Sequence, residues 1–250
     1  IASDANWGYM LGQFKWVYAF LSPLGGYIAD RFSRRYPICA SLFVWSAVTW
    51  ATGQVTTYEG LLWTRTLMGI SEAFYIPAAL ALITDYHTAG TRSRAVGVHQ
   101  TAIYCGIMVG GFSGYVADEP ALGWRFTFDV TGLIGVLYAL PLLWFLRDRH
   151  RDPALVTSKP SPRVAVKELL GNGSFILLVL CFTLPALAGW VVKDWMPAIL
   201  KGMFNIGQGK AGVSATLYVN LAALGGAFLG GLAADRLMRR TIRGRILISA

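Results

Sequence analysis

Seven apolar runs, each long enough to cross a bilayer at 1.5 Å of rise per residue, dominate this chain and leave few architectures open to it. They cover Trp7–Ala29, Tyr36–Val55, Gly60–Tyr86, Ala95–Ala117, Phe126–Leu146, Ser174–Leu200 and Ala211–Ala234, and an eighth begins near Ile246. Lipid cannot hydrogen-bond a bare peptide group, so a segment crossing it must satisfy its own backbone. Runs of this length do so as α-helices. The expected fold class is therefore all-α membrane.

Composition agrees where it bears on solvent. Only 14% of the residues are charged and 55% are hydrophobic, against about a quarter charged in a soluble domain. The net charge of +9 does not indicate nucleic acid, because the basic residues sit in short segments between apolar runs. Cys39, Cys105 and Cys181 stand singly within apolar runs, with neither a disulfide framework nor metal-ligand spacing. They read as small packing residues.

The basic residues alternate with the runs. Arg31, Arg34 and Arg35 follow the first run, and Arg92 and Arg94 the third. Arg147, Arg149, Arg151, Lys159, Arg163 and Lys167 follow the fifth, and Arg236, Arg239, Arg240, Arg243 and Arg245 the seventh. These make sixteen of the 22 basic residues, all in alternate loops. The bias of Lys and Arg toward the cytoplasm predicts that these loops lie there, in a plasma (inner) membrane protein. The segment 147–173, with three prolines, reads as a linker between residues 1–146 and 174–250.

One charged knot occurs in both parts. GGYIADRFSRR (Gly25–Arg35) returns as GGLAADRLMRR (Gly230–Arg240), each between apolar runs. Gly26 and Gly231 would let another backbone approach. Asp30 and Asp235 suit a helix N-terminus or an arginine. Arg34, Arg35, Arg239 and Arg240 suit anionic headgroups. A motif repeated in two halves marks internal duplication. The pattern G-x-x-x-D-R-x-x-R-R resembles the signature loop of the major facilitator superfamily, between helices 2 and 3 and again between helices 8 and 9. The resemblance covers essentially the whole chain. It implies a major facilitator fold, an inverted-repeat helical bundle, with this chain running from helix 2 into helix 9 and lacking helix 1 and the last helices. It also implies that Gly26, Asp30, Arg31, Arg34, Arg35, Gly231, Asp235, Arg236, Arg239 and Arg240 form a conformational latch.

Ionisable residues inside spans are functional candidates, since burial there costs roughly 2.5–3.5 kcal/mol on insertion scales. Arg65 and Glu72 lie two turns apart on one helical face, and Lys15 lies within the first run. Arg65 and Lys15, with Tyr18, Tyr75 and Gln100, are the expected substrate-binding residues, and Glu72 the proton-coupling carboxylate. His99 and Tyr104 belong to the same polar group. Lys193 and Asp194 read as an outer-rim pair, and Pro185 with Gly189 as a break in the sixth run. The stretch RTLMGISEAFYIP (Arg65–Pro77) resembles helix 4 of organic anion symporters within the superfamily, where an arginine and a glutamate serve substrate binding and proton coupling. It also resembles the spinster-type lysolipid transporters, which share G-x-x-E-A-x-Y.

GQGKAG (Gly207–Gly212) lacks the first glycine and the final Ser or Thr of a phosphate loop, and no catalytic or metal-ligand pattern occurs. The sequence thus predicts a non-enzymatic, cofactor-free monomer among membrane lipids. Its expected function is proton-coupled symport of a small organic anion. The alternatives are spinster-type transport of a lysophospholipid or amphiphile, and a transporter-like ligand sensor without flux.

Overall fold

A computed structural model describes residues 3–88, 90–148, 161–241 and 243–249. Arg149, Arg151 and Lys159 of the expected linker lie outside the described residues. All described elements are helices: α1 (Asp4–Arg31), α2 (Arg35–Gln54), α3 (Tyr58–Glu72), α4 (Tyr75–Tyr86), α5 (Arg92–Gly111), α6 (Ser113–Asp118), α7 (Gly123–Phe145), α8 (Pro162–Gly171), α9 (Gly173–Phe204), α10 (Gln208–Met238) and α11 (Gly244–Ser249).

Local chemistry sets several of these limits. Ser3 accepts from the Asn6 N–H, Thr57 from Gly60, and Asn172 from Ser174 and Phe175, so α1, α3 and α9 start on side-chain caps. The third apolar run divides at Ala73–Phe74 into α3 and α4. Pro77 accounts for the break, because its ring has no N–H and displaces the carbonyl four residues back, that of Ala73. By contrast, α9 runs unbroken through Pro185 and Pro197, so the break expected at Pro185 and Gly189 does not form.

Among the described residues, five spans meet both length and hydropathy for crossing a membrane: Tyr58–Tyr86, Arg92–Asp118, Gly123–Phe145, Gly173–Phe204 and Gln208–Met238. The chain is thus an integral, multi-pass membrane protein. α1 and α2, at 28 and 20 residues, are long enough but less apolar. The reason in α2 is that its hydroxyls, Ser41, Ser46 and Thr52, are buried against other helices rather than offered to lipid. Large apolar side chains cover the outside instead, as on α9, which buries none of its residues within the described structure. In a bilayer such a face carries no penalty, since lipid tails are as apolar as leucine.

Close pairing of α2 with α7, of α5 with α10, and of α1 with α3 organises the bundle. A small apolar cluster of Ala29, Ile38, Ala78, Ala79 and Leu82 gathers where α1, α2 and α4 meet, with Tyr75, Leu142 and Leu146 packed on it. The α1–α2 turn, the end of α4, the start of α5, and the ends of α7 and α10 all lie at one end of the bundle, as the hydrogen bonds of Asp85, Asp148 and Asp235 require. Both knots therefore occupy the same, arginine-rich end.

Candidate functional site

A cavity of about 900 Å³ lies among α1, α2, α3, α5, α6, α7, α9 and α10. Its wall is mostly apolar or aromatic, including Trp7, Trp124, Phe128 and Trp195, with the hydroxyls of Thr127, Thr131 and Thr216 interspersed. Arg65 is the sole cation among the described lining residues, and Asp4 the sole acid. The Arg65 guanidinium carbon sits 5.9 Å from the centre of the Phe128 ring. Its Nε is buried without a hydrogen-bond partner. An arginine with an unmatched donor over an aromatic face is arranged to receive an anion.

The other expected binding residues are not gathered around Arg65. No ion pair joins Arg65 to Glu72, although they share a helical face. Glu72 ends α3 beside the Ala73–Phe74 break and is absent from the cavity wall. Tyr18 packs against Phe14, with ring centres 6.1 Å apart. Tyr75 fills a corner between α2 and α5: it meets Trp45 edge-on at 5.4 Å, and its hydroxyl lies 3.4 Å from His99 Nε2. Tyr18, Tyr75 and Gln100 are all absent from the wall. Lys15 is ion-paired with Asp194 of α9. In place of the rim pair expected of Lys193 and Asp194, Asp194 of α9 is tied to Lys15 of α1, 179 residues away in sequence. Residues 15 and 194 lie on helices that are otherwise little packed against each other, and no local pattern could have joined them.

The two knots hold different partners. In the first, Arg34 is buried: its guanidinium pairs with Asp85 at 2.7 Å, contacts Asp30 at 3.8 Å, and donates to the carbonyls of Ala29 and Ala81. Asp148, just past α7, accepts from the N–H groups of Arg34 and Arg35 at 2.9 and 3.1 Å, and from the Ser33 hydroxyl. The expectation from sequence assigned Arg34 to the headgroups; the structure buries it, because a carboxylate and carbonyls from neighbouring helices converge there. Arg31 lies over Tyr27 and Arg35 over Tyr36. The backbone approach expected at Gly26 occurs at Gly25: a Cβ there would lie 2.6 Å from the Ala73 carbonyl oxygen, the group freed by Pro77. At Gly26 the nearest atom would be 3.9 Å away.

The second knot reaches from α10 to α5. Asp235, 1% exposed, accepts from the N–H groups of Ser93 and Arg94 at 3.2 and 2.9 Å, at the start of α5. A Cβ on Gly231 would lie 3.0 Å from the Ser93 carbonyl oxygen, so glycine permits this contact. Arg236, Arg239 and Arg240 are exposed. The far end of the same helix pair repeats the device in reverse, with Asp118 closing α6 and accepting from the N–H groups of Gln208 and Gly209 at 3.1 and 2.7 Å, where α10 begins. The span Arg92–Asp118 and the antiparallel α10 thus each carry, near the C-terminal end, an aspartate that caps the other. Asp118 and Asp148 could not be singled out from sequence, since an aspartate ending an apolar run looks like any loop acid.

The comparisons agree with this architecture. The chain is similar to protein spinster homolog 1 of Rattus norvegicus and of Homo sapiens, 32% identical over 206 and 207 residues, matching 79% of this chain and 39% of each relative. It is 28% identical over 199 residues to the sphingosine-1-phosphate transporter SPNS2 of Xenopus tropicalis, again 39% of that protein's length. The chain therefore spans well under half the length of these relatives. Among solved structures, a bacterial homolog of the human lysosomal transporter spinster, inward-facing and unoccupied, superposes with a TM-score of 0.74 at 24% identity, over 96% of this chain and 57% of that one. The major facilitator superfamily model matches residues 2–250, and the chain belongs to that superfamily.

Proposed function

We propose that this chain forms part of a transporter that moves an anionic amphiphile, of the lysolipid class, by alternating access. The observation that carries this is the cavity itself, where one arginine with a free buried donor stands in a large apolar and aromatic wall. A short organic anion would leave most of that wall wet, whereas an acyl chain beneath an anionic headgroup matches both parts. The similarity to spinster homologs, and to a relative named a sphingosine-1-phosphate transporter, supports the same class. The second expectation from sequence, amphiphile transport, thus takes precedence over small-anion symport.

In this reading Arg65 holds the headgroup. Glu72, unpaired with Arg65 and placed at the α3–α4 break, carries the coupling proton. The Asp235–α5 contact serves as the latch at the arginine-rich end, which faces the cytoplasm. The test is uptake by the full-length protein in proteoliposomes, challenged with lysophospholipid or with short carboxylates. Competition by the lysophospholipid alone, lost in Arg65→Met, is the expected result. Competition by carboxylates alone returns the function to small-anion symport, and tight binding without any flux makes the protein a sensor.

A further inference from the structure

The Lys15–Asp194 tie belongs to a larger charged group that the cavity alone does not explain. Lys15 Nζ lies 5.2 Å from the centre of the Trp190 ring, and Lys193 Nζ lies 5.0 Å from the same centre. Two ammonium groups thus share one indole, with a single carboxylate, Asp194, held by Lys15. Lys193 is exposed and has no carboxylate within ion-pair distance among the described residues. Such a group, on two long helices of a membrane bundle and carrying net positive charge, is costly where lipid surrounds it unless it serves a ligand or a gate.

The group adjoins the cavity without lining its wall. On α1, Lys15 is one turn from Leu11; on α9, Asp194 is one turn from Ala198; both Leu11 and Ala198 line the wall. Gln13 donates to the Thr66 hydroxyl at 3.4 Å, which sets the register of α1 against α3. Because both helices run in the same direction, Lys15 and Arg65 differ in depth by only about 4.5 Å at 1.5 Å per residue. An anion reaching Arg65 is therefore within about one helical turn of the tie in depth.

We propose that Lys15, Lys193 and Trp190 form a second anion subsite, filled in this structure by Asp194, and that an incoming anionic headgroup takes Lys15 from Asp194 and so releases α1 from α9. The inference rests on the amphiphile reading above. It adds a way for the substrate to operate the machine: an ion pair between the halves is exchanged for one to the cargo, so occupancy changes the relative stability of the two arrangements. Asp194 acts as a built-in competitor for the headgroup. Lys193 supplies the charge that makes the exchange favourable, since the group is left with an excess cation until an anion arrives.

The experiment measures binding of dodecyl phosphate, and of the neutral dodecyl glycerol, to the full-length protein in nanodiscs. Asp194→Asn removes the competitor and is expected to tighten dodecyl phosphate binding roughly tenfold, within the usual range of coupling between sites, with dodecyl glycerol unchanged. Lys193→Met leaves the tie intact and should weaken the phosphate alone, so it decides the question even if Asp194→Asn does not fold. Phosphate affinity unchanged or weakened in Asp194→Asn, or unchanged in Lys193→Met, overturns the subsite. Binding that is lost in Arg65→Met while indifferent to Asp194 and Lys193 overturns this inference only. No dodecyl phosphate binding in any form overturns both it and the amphiphile reading.

Discussion

Replacing Asp235 with alanine tests whether the second knot holds the two halves together. The carboxylate is 1% exposed and accepts two backbone N–H groups, at 3.2 and 2.9 Å, from the first turn of α5. Hydrogen bonds to a charged acceptor contribute roughly 1.5–3 kcal/mol each, and the helix N-terminus adds a favourable field. Alanine loses both bonds and leaves two N–H groups unmatched in the closed arrangement, whereas water reaches them once the end opens. A net bias of roughly 3 kcal/mol toward opening follows, about a hundredfold in the open-to-closed ratio. Asparagine keeps the shape and an acceptor oxygen but not the charge, so its effect should be about half as large in free energy. Spin labels at the exposed loop positions Thr88 and Arg240, with the three native cysteines replaced, report the separation of this end by pulsed electron–electron resonance. The wild type should give a short, narrow distance. Asp235→Ala should move most of the population to longer distances, and Asp235→Asn a smaller part. A distribution identical in all three proteins would refute the reasoning and leave the close backbone packing at Gly231 as what holds the seam.

Two further outcomes follow from the same structure. Gly25→Val places a Cβ 2.6 Å from the Ala73 carbonyl oxygen and 3.0 Å from the Phe74 Cα; both neighbours are backbone, so a loss of roughly 1–3 kcal/mol is expected, read as a lower thermal midpoint in detergent. Gly26→Val, with nothing nearer than 3.9 Å, should lower it far less. Glu72→Gln should abolish accumulation driven by a pH gradient in proteoliposomes while leaving counterflow exchange intact; accumulation that persists would remove Glu72 from proton coupling.

The order of spans, the arginine-rich end and the paired knots could all be read from the chain, because each is a local property: run length, loop charge and a repeated string. The break at Ala73–Phe74 was also written locally, in Pro77, but an apolar run of 27 residues conceals it. The proline break expected in α9 failed for the opposite reason. Helices in lipid tolerate proline, since freed carbonyls find other donors and the bilayer favours any continuous helix. The candidate site was legible only in part: Arg65 stood out as a charge inside a span, but its solitude in the cavity did not.

Run length and charge by themselves determined that this chain crosses a membrane as a helical bundle, and which of its ends carries the arginines, because a bilayer imposes those rules on any sequence. Only the tertiary structure decided the partners. Asp235 meets an α5 N-terminus 142 residues away, Lys15 meets an aspartate 179 away, and two near-identical knots receive different assignments. A charge buried between helices takes whichever complementary group the packing delivers, and packing is set by surfaces brought together from distant parts of the chain.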